Sequence, residues 1–169
     1  MVINVTCGMG GDMFYEYDED EDGNVFSTGA STDMVNSTLR LQHIELIKPE
    51  ICSLDCGSLN FGNGAYVSTA PMLREMAGRI AEAGVKPELE CFEVGHVALA
   101  TQLYKEGLIE DPPFYQFALG IPWGGTADVA TLQAMIPLVA PGSNWAAFGI
   151  SRAQMPMVAQ SMLLGGHVR

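Results

Sequence analysis

The sequence predicts an α/β fold of parallel strands, an incomplete (β/α)8 TIM barrel of about six strands, on three observations. Short apolar runs rich in β-formers recur at residues 2–5, 51–54, 89–92, 114–119, 145–150 and 167–169. Amphipathic stretches of helical length separate them. A typical eight-unit barrel takes about 250 residues, so a chain of 169 residues holds about six units.

The helical stretches carry apolar residues three to four positions apart, as in Met72, Leu73, Met76 and Ile80, and again in Leu99 and Leu103. Before the second strand, Ser31, Thr32 and Asp33 offer caps to a helix bearing Leu39, Leu41, Ile44 and Ile47, which stops ahead of Pro49. A crossover helix returns the chain to begin the next strand in the same direction, so the strands pair in parallel and the sheet is expected to be covered on both faces. Residues 1–169 read as one partial barrel domain, with an acidic loop at 12–30 after the first strand.

Composition excludes several classes of function. Hydrophobic residues make up 48% of the chain and its mean hydropathy is +0.17, too apolar for a disordered segment. Twenty acidic against eight basic side chains leave a net charge of -12, the wrong sign for neutralising nucleic-acid phosphates. No apolar run reaches the roughly 20 residues of a membrane span, and Met1 leads into a strand rather than a charged signal region, so a cytoplasmic protein is expected.

The four cysteines, Cys7, Cys52, Cys56 and Cys91, lie in or beside buried strands and read as reduced core thiols rather than zinc ligands, because no second pair or nearby histidine completes a tetrahedral set. Residues 16–22 hold six acids in seven positions, and Asp18, Asp20, Asp22 and Gly23 copy the first half of a calcium loop. The pattern then fails, since Gly29 stands where a bidentate glutamate is needed.

Polar, glycine-rich tips follow the strands at residues 6–11, 55–62, 90–96, 120–125 and 149–152. In a parallel barrel every strand's carboxyl end opens on one face, so these tips converge there and nominate the site.

Several of these segments resemble the β-keto acid cleavage enzymes, a family that includes the 3-keto-5-aminohexanoate cleavage proteins. Residues 49–62, Pro-Glu-Ile-Cys-Ser-Leu-Asp-Cys-Gly-Ser-Leu-Asn-Phe-Gly, resemble its fourth-strand segment. Residues 86–96, Lys-Pro-Glu-Leu-Glu-Cys-Phe-Glu-Val-Gly-His, resemble its fifth, and residues 119–124, Leu-Gly-Ile-Pro-Trp-Gly, its sixth. Phe148-Gly-Ile and the terminal Gly-Gly-His-Val-Arg are similar to the seventh and eighth. The resemblance implies a zinc-dependent TIM barrel that converts a β-keto acid and acetyl-CoA to acetoacetate and a new acyl-CoA. In the family, two histidines of the second strand and a glutamate beyond the eighth-strand arginine hold the zinc. The chain would thus run from the third strand to the start of the eighth, carry no metal ligand, and be inactive alone.

Among its residues, the resemblance assigns Arg169 to catalysis, its permanent charge suiting a developing oxyanion or a carboxylate; a frayed terminal residue is the structural alternative. Glu90 resembles the fifth-strand glutamate, holding the arginine or a cationic group, or else forming a structural ion pair. Alternation puts Glu88 and Glu90 on one face, with Leu89 and Cys91 on the other. Thr6 matches a third-strand hydroxyl able to bond the substrate carboxylate, against an ordinary strand-end hydroxyl. Asp55 and Ser58 are further substrate-binding candidates on the next tip, with loop capping the alternative for Asp55. Ser151 and Arg152 open the helix after the seventh strand, where amides and the helix dipole favour a coenzyme A phosphate; a surface salt bridge is the other reading.

Trp123 either walls the pocket or fills the core. His96, His43 and His167 lack metal-ligand spacing, and His96 reads as packing at a helix end. The expected partners are a small β-keto acid, acetyl-CoA and further copies of the chain, since an unclosed barrel leaves unpaired strand edges. Two other functions fit the sequence less closely: a non-catalytic fragment or interaction module, and an unrelated α/β small-molecule-binding protein, for which the glycine fingerprint of dinucleotide folds is missing.

Overall fold

The computed structural model describes residues 1–16 and 27–169. A parallel five-stranded sheet is its frame, in the order β1 (Asn4–Thr6), β5 (Ile51–Asp55), β8 (Lys86–Cys91), β9 (Phe114–Leu119) and β10 (Asn144–Gly149). Spatial order follows chain order, and every pairing is parallel. Each new strand is therefore added at the same growing edge, which is how a (β/α)8 barrel is built. The sixth run forms no strand: His167 makes a single parallel bridge to Ala146, in the position the next barrel strand takes.

Helices α1 (Ser37–Ile47), α2 (Ala70–Glu82), α3 (Val94–Lys105) and α4 (Val129–Met135) fill the successive crossovers, and α5 (Gln154–Leu163) follows β10. Helix α2 shows why these segments are helical: Leu73, Met76, Ala77 and Ile80 fall on one stripe at three- and four-residue spacing and are all buried.

The expectation of a sheet covered on both faces is corrected. The apolar core joins the helices to one face only, through Leu54, Leu89, Tyr115, Phe117 and Ala147. The alternate positions Ser53, Asp55, Glu88 and Gln116 are buried but polar. A barrel strand turns one side to the helical ring and the other to the interior, so parity along each strand separates core from site.

The cap before α1 also differs from expectation. Asn36 caps the helix, its side chain accepting the Leu39 N–H at 3.0 Å. Thr32 and Asp33 fasten the preceding loop instead, Thr32 to Phe14 and Asp33 to the amides of Gly10 and Asp12. Leu41 and Ile44 enter the core, whereas Leu39 and Ile47 stay exposed. The buried neighbour is Arg40, at 2% exposure.

The loop read at residues 12–30 begins and ends in short strands: β2 (Asp12–Met13), β3 (Tyr15–Glu16) and β4 (Ser27–Thr28), the last two paired with each other. The calcium-like residues Asp18 to Gly23 lie outside the described residues. Beyond β5, the hairpin β6 (Leu59–Phe61) and β7 (Gly64–Tyr66) turns through Gly62 and Asn63 and captures β2, giving a three-stranded antiparallel sheet in the order β2-β7-β6. This small sheet stands at the carboxyl ends of β1 and β5. No described helix is long and apolar enough to cross a membrane.

Candidate active site

A cavity of about 340 Å³ opens where the parallel strands end. Thr6, Asp55 and Glu90, the last or inward-facing residues of β1, β5 and β8, contribute its polar floor. The antiparallel sheet supplies a wall through Asp12, Phe61 and Tyr66, and Phe92 and Ile121 close another side.

Two floor residues share an electrostatic problem. Glu90 is paired in register with Asp55. Burial, and then the neighbouring Asp55 charge, push the Glu90 carboxyl up to about 8. Burial also raises Asp55, although hydrogen bonds from Glu90 and Tyr66 and the charge of Arg40 oppose it. Two adjoining buried carboxyls do not both ionise readily, so at neutral pH Glu90 keeps its proton and donates it toward Asp55. Asp55 is 8% exposed, and its Oδ1 has no hydrogen-bond partner.

Tyr66 is fixed from behind. The Arg40 guanidinium donates to the Tyr66 hydroxyl, to the Cys7 carbonyl at 3.2 Å and to the Val67 carbonyl and Ser68 hydroxyl, both at 3.1 Å. With its oxygen accepting from Arg40, the phenol turns its proton to Asp55, and burial raises its pKa. Arg40 thereby links α1, the end of β1 and the antiparallel sheet.

At Thr6 the hydroxyl oxygen accepts the Gly8 N–H at 3.0 Å, leaving the hydroxyl proton for a ligand. Gly8 is required to keep the floor in place, since a Cβ there would lie 2.6 Å from Asp55 Oδ2 and push that carboxylate aside. Gly57 is a second required glycine: at φ +147° its Cβ would meet the His96 ring at 2.3 Å. His96 packs at the helix end, as its sequence position predicts. It accepts from Phe92 N at 3.3 Å through Nδ1 and donates from Nε2 to the Ser58 carbonyl at 3.1 Å. Burial lowers its pKa, so it is neutral.

Arg169 reaches the floor from its edge. Its Nη1 lies 3.2 Å from Glu88 and 3.7 Å from Glu90, and the guanidinium sits 5.5 Å above the Phe148 ring. Glu88 is the closer partner and is itself held by Asn4 at 2.7 Å and Ser53 at 2.9 Å. Thr6, Asp55, Glu90 and Arg169 thus gather on one side of the sheet, although Arg169 is half exposed and does not line the cavity.

The remaining candidates stand apart. Ser58 does not line the cavity; its hydroxyl accepts the Ser68 N–H at 2.9 Å and steadies the hairpin base. Ser151 and Arg152 are exposed in a single 3-10 turn ahead of α5, Ser151 at φ +56°. Trp123 neither fills the core nor walls the cavity. It is 73% exposed at φ +72°, beside Asn60, Gly62 and Asn63 at the hairpin tip. All four cysteines are free and buried.

Sequence reasoning missed Asp12, Tyr66, Phe61 and Arg40. A signal for the hairpin existed in Gly62-Asn63-Gly64 between two β-forming runs. None existed for the capture of β2, which joins residues more than fifty positions apart.

A family model described as beta-keto acid cleavage enzyme matches residues 1–169. A 3-dehydrocarnitine:acetyl-CoA trimethylamine transferase of Rhizobium meliloti (strain 1021) is 45% identical over 175 residues, covering all of this chain and 56% of that protein. A 3-keto-5-aminohexanoate cleavage enzyme of Fusobacterium nucleatum is 37% identical, over 85% of this chain and 52% of the relative. The chain spans about half the length of these curated relatives. Among solved structures, a ternary complex of ObcA with C4-CoA adduct and oxalate superposes with a TM-score of 0.70 at 17% identity, covering 99% of this chain and 41% of that one. That likeness bears on the fold, as the parallel strand order does. With a family match across its whole length, the chain belongs to the beta-keto acid cleavage enzymes.

Proposed function

We propose that the protein containing this chain transfers the acyl part of a β-keto acid to coenzyme A, taking acetyl-CoA and releasing acetoacetate. The observation that carries the reading is the cavity at the strand ends, floored by Thr6, Asp55 and Glu90 with Arg169 at its edge, in a chain matched throughout by the family.

The chemistry is a Claisen step followed by its reverse. A proton leaves C2 of the keto acid, and C2 bonds to the acetyl carbonyl carbon, expelling the coenzyme A thiolate. The thiolate attacks C3, the C2–C3 bond breaks, and its electron pair remains on acetoacetate, which takes a proton back. Thr6 offers its hydroxyl proton to the substrate carboxylate. Arg169 supplies a permanent positive charge where the enolate and alkoxide develop. The carboxyl pair of Glu90 and Asp55 holds a proton beside the reacting carbons, while Glu88, the nearer carboxylate, keeps Arg169 in place. Ser151 and Arg152, at the carboxyl end of β10, are proposed to meet a phosphate of coenzyme A.

Zinc in the whole enzyme would polarise the keto oxygen. Among the described residues no three His, Cys, Asp or Glu side chains converge to hold a metal, so these residues do not fit it. No step above is routed through zinc, and the activity is assigned to the intact protein rather than to these 169 residues alone.

Incubating the intact protein with acetyl-CoA and a panel of β-keto acids tests the reading by following acetoacetate. Arg169→Ala should lower kcat/KM at least about 10²-fold. Failure of every acid to yield acetoacetate would sink the proposal.

A further inference from the structure

A buried cation without a counter-ion beside it points to the group that decides which floor carboxyl is charged. The step rests on the reading above, in which the carboxyl pair serves the reacting carbons. We propose that Arg40, which does not line the cavity, is a positioning residue for it: acting through the Tyr66 hydroxyl, it holds Asp55 as the ionised carboxyl and leaves the proton of the pair on Glu90.

Arg40 is 2% exposed on α1, yet among the described residues it forms no ion pair. All four of its partners are neutral, the Cys7 and Val67 carbonyls and the Ser68 and Tyr66 hydroxyls. A guanidinium so enclosed calls for a negative charge within reach, because desolvation opposes its burial. The phenol connects it to one. The Tyr66 oxygen accepts from Arg40 and, at 3.4 Å, from Ser68, so its own proton turns the other way, to Asp55. The ring is also clamped: the Arg40 guanidinium lies 5.2 Å from its centroid, and a Cβ on Gly11 would come within 2.4 Å of its Cε2.

Asp55 and Glu90 stand side by side in register, but only Asp55 receives this donor. The other groups facing the pair do not reverse the choice. Around Asp55, the buried Cys7 and Cys56 thiols stay protonated, His96 is neutral, and Asp12 across the cavity is acidic. Around Glu90, Gln116 is a neutral neighbour in register, and Glu88 on the same strand opposes a second negative charge. Arg169 favours that charge from 3.7 Å, but it is half exposed and closer to Glu88. A buried phenol with a guanidinium behind it outweighs an arginine shared with another carboxylate and open to water.

Infrared spectroscopy of the intact protein at neutral pH, without substrate, tests the inference with carbon-13 labels in glutamate or in aspartate. The carboxylic-acid carbonyl band should shift with labelled glutamate, hold still with labelled aspartate, and vanish in Glu90→Gln. In Tyr66→Phe the proton should pass to Asp55, so the band should shift with labelled aspartate instead and lose that component when Asp55→Asn is added. Arg40→Gln should act as Tyr66→Phe does. Leu89→Ala, which loosens the opposite face of β8, should leave the proton on glutamate, as a merely structural effect of the other variants would. The inference is overturned if the wild type shows no acid band, if its band follows aspartate, if the band still follows glutamate in Tyr66→Phe, or if Leu89→Ala moves it as well. Should Arg40→Gln not fold, Tyr66→Phe decides, since it removes one hydroxyl and keeps the other three partners of Arg40. No substrate enters the measurement, so a failed exchange of labels removes the role of Arg40 and leaves the acetoacetate assay to judge the activity.

Discussion

Gly8 and Arg40 show how much of this site depends on single atoms. A methyl group on Gly8 would come within 2.6 Å of Asp55 Oδ2 and 3.2 Å of Thr6 Oγ1. Gly8→Ala must therefore displace the floor of the cavity while leaving the core alone. We expect kcat/KM to fall about 10²-fold with little change in melting temperature, and unchanged kinetics would show that Asp55 is not held where the substrate needs it. Arg40 is buried and bonds four groups from two other segments. Arg40→Met leaves two carbonyls and two hydroxyls short of a donor, and urea denaturation should show a loss of about 3 kcal/mol or more. Arg40→Lys should recover little of it, because an ammonium cannot reproduce the planar fork.

At the scale of elements, strand parity decides what a substitution costs. Leu89 points from β8 into the helical layer and is fully buried, flanked by Glu88 and Glu90 on the opposite face. Leu89→Ala should cost about 2–5 kcal/mol in chemical denaturation. Leu39 on α1 is 53% exposed despite its place in the apolar pattern, and Leu39→Ala should change stability by no more than about 0.5 kcal/mol. Comparable losses at both positions would contradict the core as described. The alternation that put Glu88 and Glu90 together was legible in the sequence. The exposure of Leu39 was not, because the buried stripe of α1 runs through Ser37, Arg40, Leu41 and Ile44, and two of these are polar.

For the molecule as a whole, the buried carboxyls make stability depend on pH. Glu90 has its pKa raised to about 8 in the fold, from 4.5 when unfolded. Below pH 4.5 the acid is protonated in both states, and its contribution is fully present. As pH rises toward 8 the unfolded chain gives up a proton that the folded chain retains, so stability falls across this window. Asp55, also raised, acts in the same sense, while Arg169 beside Glu90 and Glu88 moderates the effect. Denaturation midpoints should decline from pH 5 to pH 8, and Glu90→Gln should flatten the decline; a midpoint that rises over this range would exclude the shared-proton pair.

The sequence by itself determined the parallel α/β frame, the convergence of strand-end residues, and which side of β8 bears its carboxylates. These depend on local periodicity and on a topology with few alternatives. Only the tertiary structure decided that β2 joins the distant hairpin, that Arg40 turns inward, and that Glu88 rather than Glu90 is the nearer anchor of Arg169. Such outcomes depend on which buried donors and acceptors find partners across long separations, and no local pattern of residue types records that competition.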